Sequence, residues 1–159
     1  MDERNIDQVI EAYGTLVLRI ARSRMATADD AEEVFQEVFI TYARKQPVFT
    51  DETRARAWFA RTTLYHCRKL WRTIGRHMTE PLDSAAKSEA APASAADDST
   101  LIDLHNALIQ LPDKYQKPLV LFYYGGLSTD EIAGVLKIKP NAVRARMTRG
   151  RQMLKEMLE

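Results

Sequence analysis

The sequence predicts an all-α chain made of two small helical domains. Two observations carry this expectation. Apolar residues recur at spacings of three and four through most of the chain, and β-branched residues nowhere alternate over a strand's length. Residues 80–99, EPLDSAAKSEAAPASAADDS, are rich in Ala, Ser, Pro and acids and hold no aromatic residue, which is linker composition. The expected division is a domain over 1–78, a linker over 79–99 and a domain over 100–159.

The first helix follows from Ile6, Val9, Ile10, Tyr13, Leu16, Val17 and Ile20, which keep the helical period. Thr27-Ala28-Asp29-Asp30 fits a capping box, and the stripe Ala31, Val34, Phe35, Val38, Phe39, Tyr42 follows it. The stretch from Pro47 to Thr53 breaks the pattern. A third helix is expected from about Arg54 to Arg76, with Trp58, Phe59, Leu64, Leu70 and Trp71 among basic residues.

In the second half, a helix opens near Ser99 or Thr100 and carries Leu101, Leu104, Leu108 and Leu111. Pro112 suits the first turn of the next helix, which carries Leu119, Leu121 and Phe122 and stops at Gly125-Gly126. Ser128-Thr129-Asp130-Glu131 is a second capping box, with Ile132, Ala133, Val135 and Leu136 behind it. Pro140 starts the last helix, where Val143, Met147, Gly150, Leu154 and Met157 share one face. Met153 is expected beside that face.

Composition narrows the function. The 159 residues are 45% hydrophobic and 28% charged, with net charge +1, so global disorder is excluded. The single cysteine, Cys67, forbids an intrachain disulfide and favours a reducing compartment. No apolar run approaches the length of a membrane span, and no signal sequence opens the chain, so a cytoplasmic protein is expected. His66, His77 and His105 lie on separate segments, and no CxxC, HxxxH, GxxxxGK or GxGxxG motif occurs. Neither a metal, a nucleotide cofactor nor a catalytic constellation is expected; an enzyme acting on nucleic acid is therefore disfavoured.

Charge is unevenly placed. Arg54 to His77 holds seven Lys or Arg and no acid, and Lys137 to Lys155 again holds seven and none. Thr79 to Thr100 holds five acids and one Lys, and further acids gather at Asp29, Asp30, Glu32, Glu33 and Glu37. Two basic segments around an acidic spacer suit two contacts with a polyanion.

The segment 127–158, LSTDEIAGVLKIKPNAVRARMTRGRQMLKEML, reads as a helix-turn-helix. A capped helix meets a tight turn at Lys137-Ile138-Lys139 and then a basic helix. Ala133 is small where the helices cross, Ile138 plugs the turn, and Val143 faces inward. Asn141, Arg144, Ala145, Thr148 and Arg149 lie on the opposite face, near the helix start, where side chains can enter a major groove. Arg and Asn can read base edges, while Arg151 and Lys155 suit phosphates. A freestanding operator-binding dimer would use this motif too, but would leave the N-terminal part unexplained.

With these residues in view, the chain resembles the extracytoplasmic-function sigma factors of the sigma-70 superfamily. Residues 111–158 are similar to region 4 of that family. DAEEVFQEVFITYARKQPVF over 30–49 and RAWFARTTLYHCRKLWR over 56–72 are similar to region 2. The resemblance implies a subunit that binds core RNA polymerase and directs it to promoters, without catalysis of its own. It implies core polymerase, promoter DNA and an anti-sigma factor as partners. Asp30, Glu33, Gln36, Glu37 and Phe39 would carry or flank polymerase docking. Phe49, Arg54, Arg56, Trp58, Arg61, Tyr65, Arg68, Lys69 and Arg72 would melt and hold the −10 element. Asn141, Arg144, Ala145, Arg146, Thr148, Arg149 and Arg151 would read the −35 element.

Departures from the family pattern are visible. Tyr65 stands where Asn is usual, Lys69 where Asp is frequent, Lys137 where the turn usually has Gly, and Lys139 where Ser usually caps the last helix. The two promoter elements lie about 50–70 Å apart on the duplex. A flexible coil the length of residues 80–99 averages only about 25 Å, so the linker is expected to be drawn out when both are engaged.

Overall fold

The computed structural model of the protein describes residues 5–76 and 98–159. The linker expectation for 79–99 falls almost wholly outside the described residues, as does His77. Among the described residues every regular element is an α-helix: α1 Ile6–Arg24, α2 Ala28–Lys45, α3 Glu52–Arg76, α4 Asp98–Gln110, α5 Asp113–Tyr123, α6 Thr129–Leu136 and α7 Pro140–Leu158.

Local chemistry sets the boundaries. The sequence reading missed the capping box at Asn5 and Gln8. The Gln8 N–H donates to Asn5 Oδ1 at 2.9 Å, and the Asn5 N–H donates to Gln8 Oε1 at 3.1 Å. At Thr27 the box is only half built. Its hydroxyl accepts from the Asp30 N–H at 3.1 Å, and no return bond from the Asp30 side chain forms. Aspartate is one methylene shorter than the glutamate that closes such a box. Pro112 sits just ahead of α5, with extended ψ 145°, not in its first turn. Ser128 and Glu131 close a complete box at α6.

The helices α1, α2 and α3 pack together around Phe59, which is fully buried. Its ring stacks on Tyr13 at 4.5 Å and on Tyr42 at 5.7 Å, and lies 5.6 Å from Phe39. Phe49 and Trp58 close the outer side of this cluster at 6.1 and 4.9 Å. Valines 9, 17, 34 and 38 complete the core.

The second core joins α4 through α7, with Leu119, Val120, Leu121, Ile132, Val143 and Met147 buried. Ile20 from α1 and Ala60 and Leu64 from α3 belong to this same cluster. The two halves therefore meet across an apolar seam between α1, α3 and the C-terminal helices. The α7 stripe behaves as expected through Leu154, but Met157 is 42% exposed, because α7 outruns the helices that cover it.

Candidate polymerase and nucleic-acid interfaces

The helix-turn-helix is built from its capping outward. The Ser128 hydroxyl accepts from the Glu131 N–H at 3.1 Å, and Glu131 Oε1 accepts from the Ser128 N–H at 2.8 Å. Lys137 ends α6 in the left-handed region, φ 59°, with its N–H bonded to the Ala133 carbonyl. A side chain there costs about 1–2 kcal/mol where glycine would cost little. Ile138 donates to the same Ala133 carbonyl and packs into the core. Lys139 makes no side-chain cap, and Pro140 at the first helical position supplies the fixed φ instead.

Along α7, Val143, Met147 and Gly150 are buried against the C-terminal core. At Gly150 a methyl group would stand 2.8 Å from Leu119 Cδ1 and 3.3 Å from the Tyr115 carbonyl oxygen, so glycine lets α5 and α7 approach closely. Asn141, Arg144, Ala145, Thr148 and Arg149 are all exposed, and Arg146 is half-buried at their edge. Arg144 donates to Asn141 Oδ1 at 2.5 Å, which orders two exposed polar side chains near the start of α7. Arg151 donates to the Tyr123 hydroxyl at 3.1 Å, so it is anchored to the end of α5.

A cleft of about 550 Å³ lies between α2 and α3. Trp58, Arg61, Tyr65 and Lys69 come together along it, joined by Thr41, Arg44, Lys45, Thr62 and His66, which the sequence reading missed. The signal for them was helical spacing: Trp58, Thr62, Tyr65 and Lys69 follow one α3 face, and Glu37, Thr41, Arg44 and Lys45 follow one α2 face. Tyr65 is 58% exposed and meets the His66 ring edge to face at 5.0 Å. The Thr41 hydroxyl donates to the Glu37 carbonyl at 2.8 Å and lies 3.0 Å from His66 Nε2. A hydroxyl has one proton, so His66 Nε2 is the donor of that pair. Burial holds the His66 pKa below its ordinary value, against an opposing pull from Glu37 and with help from Lys69, Arg44 and Lys45. The cleft thus offers aromatic faces beneath a basic rim, the combination that binds unstacked bases and their phosphates.

The rest of the α3 set is dispersed. Phe49 packs on Trp58 and Phe59 as part of the aromatic core. Arg54 pairs with Asp51 at 3.7 Å near the α3 start, and Arg72 is exposed further along. Arg56 turns toward α6, and Arg61, whose stem lines the cleft, reaches α6 with its guanidinium. Arg56 lies 3.0 Å from Glu131 Oε2 and donates to the Gly126 carbonyl at 3.3 Å. Arg61 donates to the Val135 and Gly134 carbonyls at 3.3 and 3.4 Å. Arg68 reaches Asp113 at 3.7 Å. Cys67 is fully buried, and burial pushes its thiol up to about 11, against the nearby Arg24, so it is an inert core residue.

On α2 the acids form an outward row. Glu33 and Gln36 are exposed, and Asp30 and Glu37 are half-buried. Phe39 is 5% exposed and belongs to the aromatic core, so it supports the row from beneath. Ile40, outside the set the sequence suggests, stands 50% exposed, one turn beyond Gln36 and Glu37 and two beyond Glu33. An exposed Ile beside acids is the pattern of an interface anchor with a polar rim.

Residues 9–77 match the family Sigma-70 region 2, and residues 101–154 match Sigma-70, region 4. The chain is similar to the sigma factor CarQ of Myxococcus xanthus, at 31% identity over 80% of this chain and 74% of that one.

The chain belongs to the sigma-70 family.

Several of its relatives are named as extracytoplasmic-function members of that family. The chain is 32% identical over 157 residues to the ECF RNA polymerase sigma factor SigE of Mycolicibacterium smegmatis, covering 96% of this chain and 61% of that relative. Sigma factors of this kind direct RNA polymerase to promoters, and that is the activity of the family to which the two matched regions assign this chain. Among solved structures, CnrH in complex with the cytosolic domain of CnrY has TM-score 0.70 and 24% identity, covering 99% of this chain and 89% of that one. RpoE of Bartonella quintana in complex with the anti-sigma factor NepR has TM-score 0.73 and 20% identity, covering 96% and 97%. Among the described residues no helix is long and apolar enough to cross a membrane.

Proposed function

We propose that this sigma factor divides promoter-directed initiation among three surfaces. The exposed face of α7 reads the −35 duplex, the basic α2–α3 cleft holds the melted −10 strand, and the α2 row of Glu33, Gln36, Glu37 and Ile40 docks on core polymerase. The observation that carries the reading is the pairing, in one chain, of an exposed basic helix-turn-helix with an aromatic, basic cleft of about 550 Å³. Duplex and unstacked strand need different surfaces, since base edges are read in a groove and free bases by stacking.

Tyr65 at the cleft mouth offers a face for stacking, whereas asparagine would offer paired hydrogen bonds. The −10 preference therefore rests more on stacking here, with Thr41 and His66 as the polar groups within reach. The factor contributes no bond-making chemistry; it supplies positioning and strand capture, and the polymerase supplies catalysis. An anti-sigma protein is the expected partner in its absence, and the cytoplasm the expected compartment.

The test is transcription of fragmented genomic DNA by core polymerase with and without this chain, with 5′ ends mapped. The reading predicts new start sites sharing two upstream elements at fixed spacing. Start sites unchanged from core enzyme alone would refute it.

A further inference from the structure

Two arginines of α3 already hold acceptors that resemble what DNA would offer. Arg56 grips the Glu131 carboxylate and the Gly126 carbonyl, and Arg61 grips the Gly134 and Val135 carbonyls. Gly134 and Val135 lie in the last turn of α6, where carbonyls lack intrahelical partners and carry the negative end of the helix dipole. Carboxylate and terminal carbonyl oxygens present the same chemistry to a guanidinium as phosphate oxygens do.

A second contact fixes this arrangement. Arg24 at the end of α1 is 2% exposed, and its guanidinium bonds to Gln116 Oε1 at 2.6 Å and pairs with Asp113 at 3.5 Å. Both partners lie in the C-terminal half. Gln116 in turn donates to the Leu108 carbonyl at 2.7 Å, which ties the clamp to α4.

The closure is built to open. Arg24 Nε is buried without a hydrogen-bond partner, an unfavourable feature that separation of the halves would relieve. A solvent-open hollow of about 400 Å³ lies beside Arg56 and Arg61 at the α3–α6 contact. The Arg56–Glu131 pair remains part-exposed, at 30% and 23%, and within reach of competing ions. Meanwhile Asn141, Arg144 and Arg149 stay open.

We infer that α6 is an internal competitor of single-stranded DNA: in the closed chain it occupies Arg56 and Arg61, and a melted strand must displace it to use them. This rests on the reading of α3 as the strand-holding helix. The closed chain is then able to meet a −35 duplex through α7 but is impaired at the −10 strand. Opening couples the two events, since the same movement that frees the arginines separates the two halves of the chain.

The experiment compares the full chain with the Asp113→Asn/Glu131→Gln variant and with a Glu11→Gln/Glu156→Gln control of equal charge change. Glu131→Gln keeps an oxygen to accept from the Ser128 N–H, and circular dichroism checks helicity; the Glu131→Gln single variant serves if the double one loses it. Small-angle scattering reads opening, and anisotropy reads binding to a fluorescein-labelled oligothymidylate. The expected result is a larger radius of gyration and affinity about fivefold or more above both wild type and control. Affinity equal to that of the control, or a radius equal to wild type, overturns the inference. An Arg56→Ala/Arg61→Ala variant separates the two readings. If it opens and binds oligothymidylate as tightly as the Asp113→Asn/Glu131→Gln variant, these arginines are not strand contacts and both the competition and that part of the −10 assignment fall. If it opens and binds weakly, the competition stands.

Discussion

Arg24 and Gln116, 92 residues apart in sequence, meet at 2.6 Å in a buried side-chain hydrogen bond. Gln116 is 4% exposed and uses its amide to satisfy α4 while its carbonyl satisfies Arg24. Removing it takes from the buried Arg24 guanidinium its 2.6 Å partner and leaves Asp113 at 3.5 Å. Gln116→Ala is expected to lower stability by about 2–4 kcal/mol. Arg24→Met/Gln116→Leu, which removes both polar partners with similar volume, is expected to lose less. Urea unfolding of the two variants checks this order.

Glycine content gives two predictions of opposite sign. Gly150→Ala places a methyl 2.8 Å from Leu119 and 3.3 Å from a backbone oxygen. Overpacking of about 1–3 kcal/mol outweighs the helix preference of alanine, about 1 kcal/mol, so a net loss is expected. Lys137→Gly relieves a left-handed side-chain position and is expected to add up to about 1 kcal/mol. Thermal unfolding should show the melting point fall for the first and rise for the second.

His66 gives a pH dependence. Above about pH 6.5 the ring is neutral in folded and unfolded chains alike and adds no slope. Below that, the unfolded chain takes up a proton first, because burial holds the folded pKa down. Stability should therefore fall as pH drops from 6.5 through the folded pKa. In His66→Gln this part of the fall should disappear, as read by urea midpoints at pH 7 and pH 5.5. An identical slope in both proteins would contradict the assignment.

Ile40 and Glu33 test the docking row. Ile40→Ala and Glu33→Lys should each weaken core polymerase binding, the charge reversal by about 1–3 kcal/mol, while helicity is kept. Competition for core enzyme against an unrelated sigma factor reads the loss. Unchanged affinity for both would reduce the row to solvated surface and helix-dipole partners.

Much of the architecture was legible in the sequence, and the exceptions have physical causes. Helix existence followed from apolar spacing, and the Ser128–Glu131 box fell where residue chemistry required it, while the turn fell at Lys137 despite the cost of a left-handed side-chain position. The Asn5–Gln8 box is less legible because two amides, rather than a hydroxyl and a carboxylate, close it. Phe59 looked like one more aromatic in a basic helix, yet it is the centre of the N-terminal core; rings from three helices meet on it, and long-range convergence leaves no mark in local spacing. The cleft was half legible: α3 supplied its named residues, but the α2 wall of Thr41, Arg44 and Lys45 needed the relative rotation of two helices. Least visible was the seam between the halves. Arg56 and Arg61 read as DNA-facing residues, and no sequence pattern tells an arginine whether its acceptor is phosphate or the end of α6.

The central claim, that α7 and the α2–α3 unit act at different promoter positions, is tested most directly by footprinting holoenzyme formed with Arg144→Ala/Arg149→Ala. The account predicts normal assembly with core polymerase, loss of protection at the upstream duplex element, and strand opening at the downstream element that persists once the complex is driven on. Loss of core binding with the upstream footprint intact would contradict it.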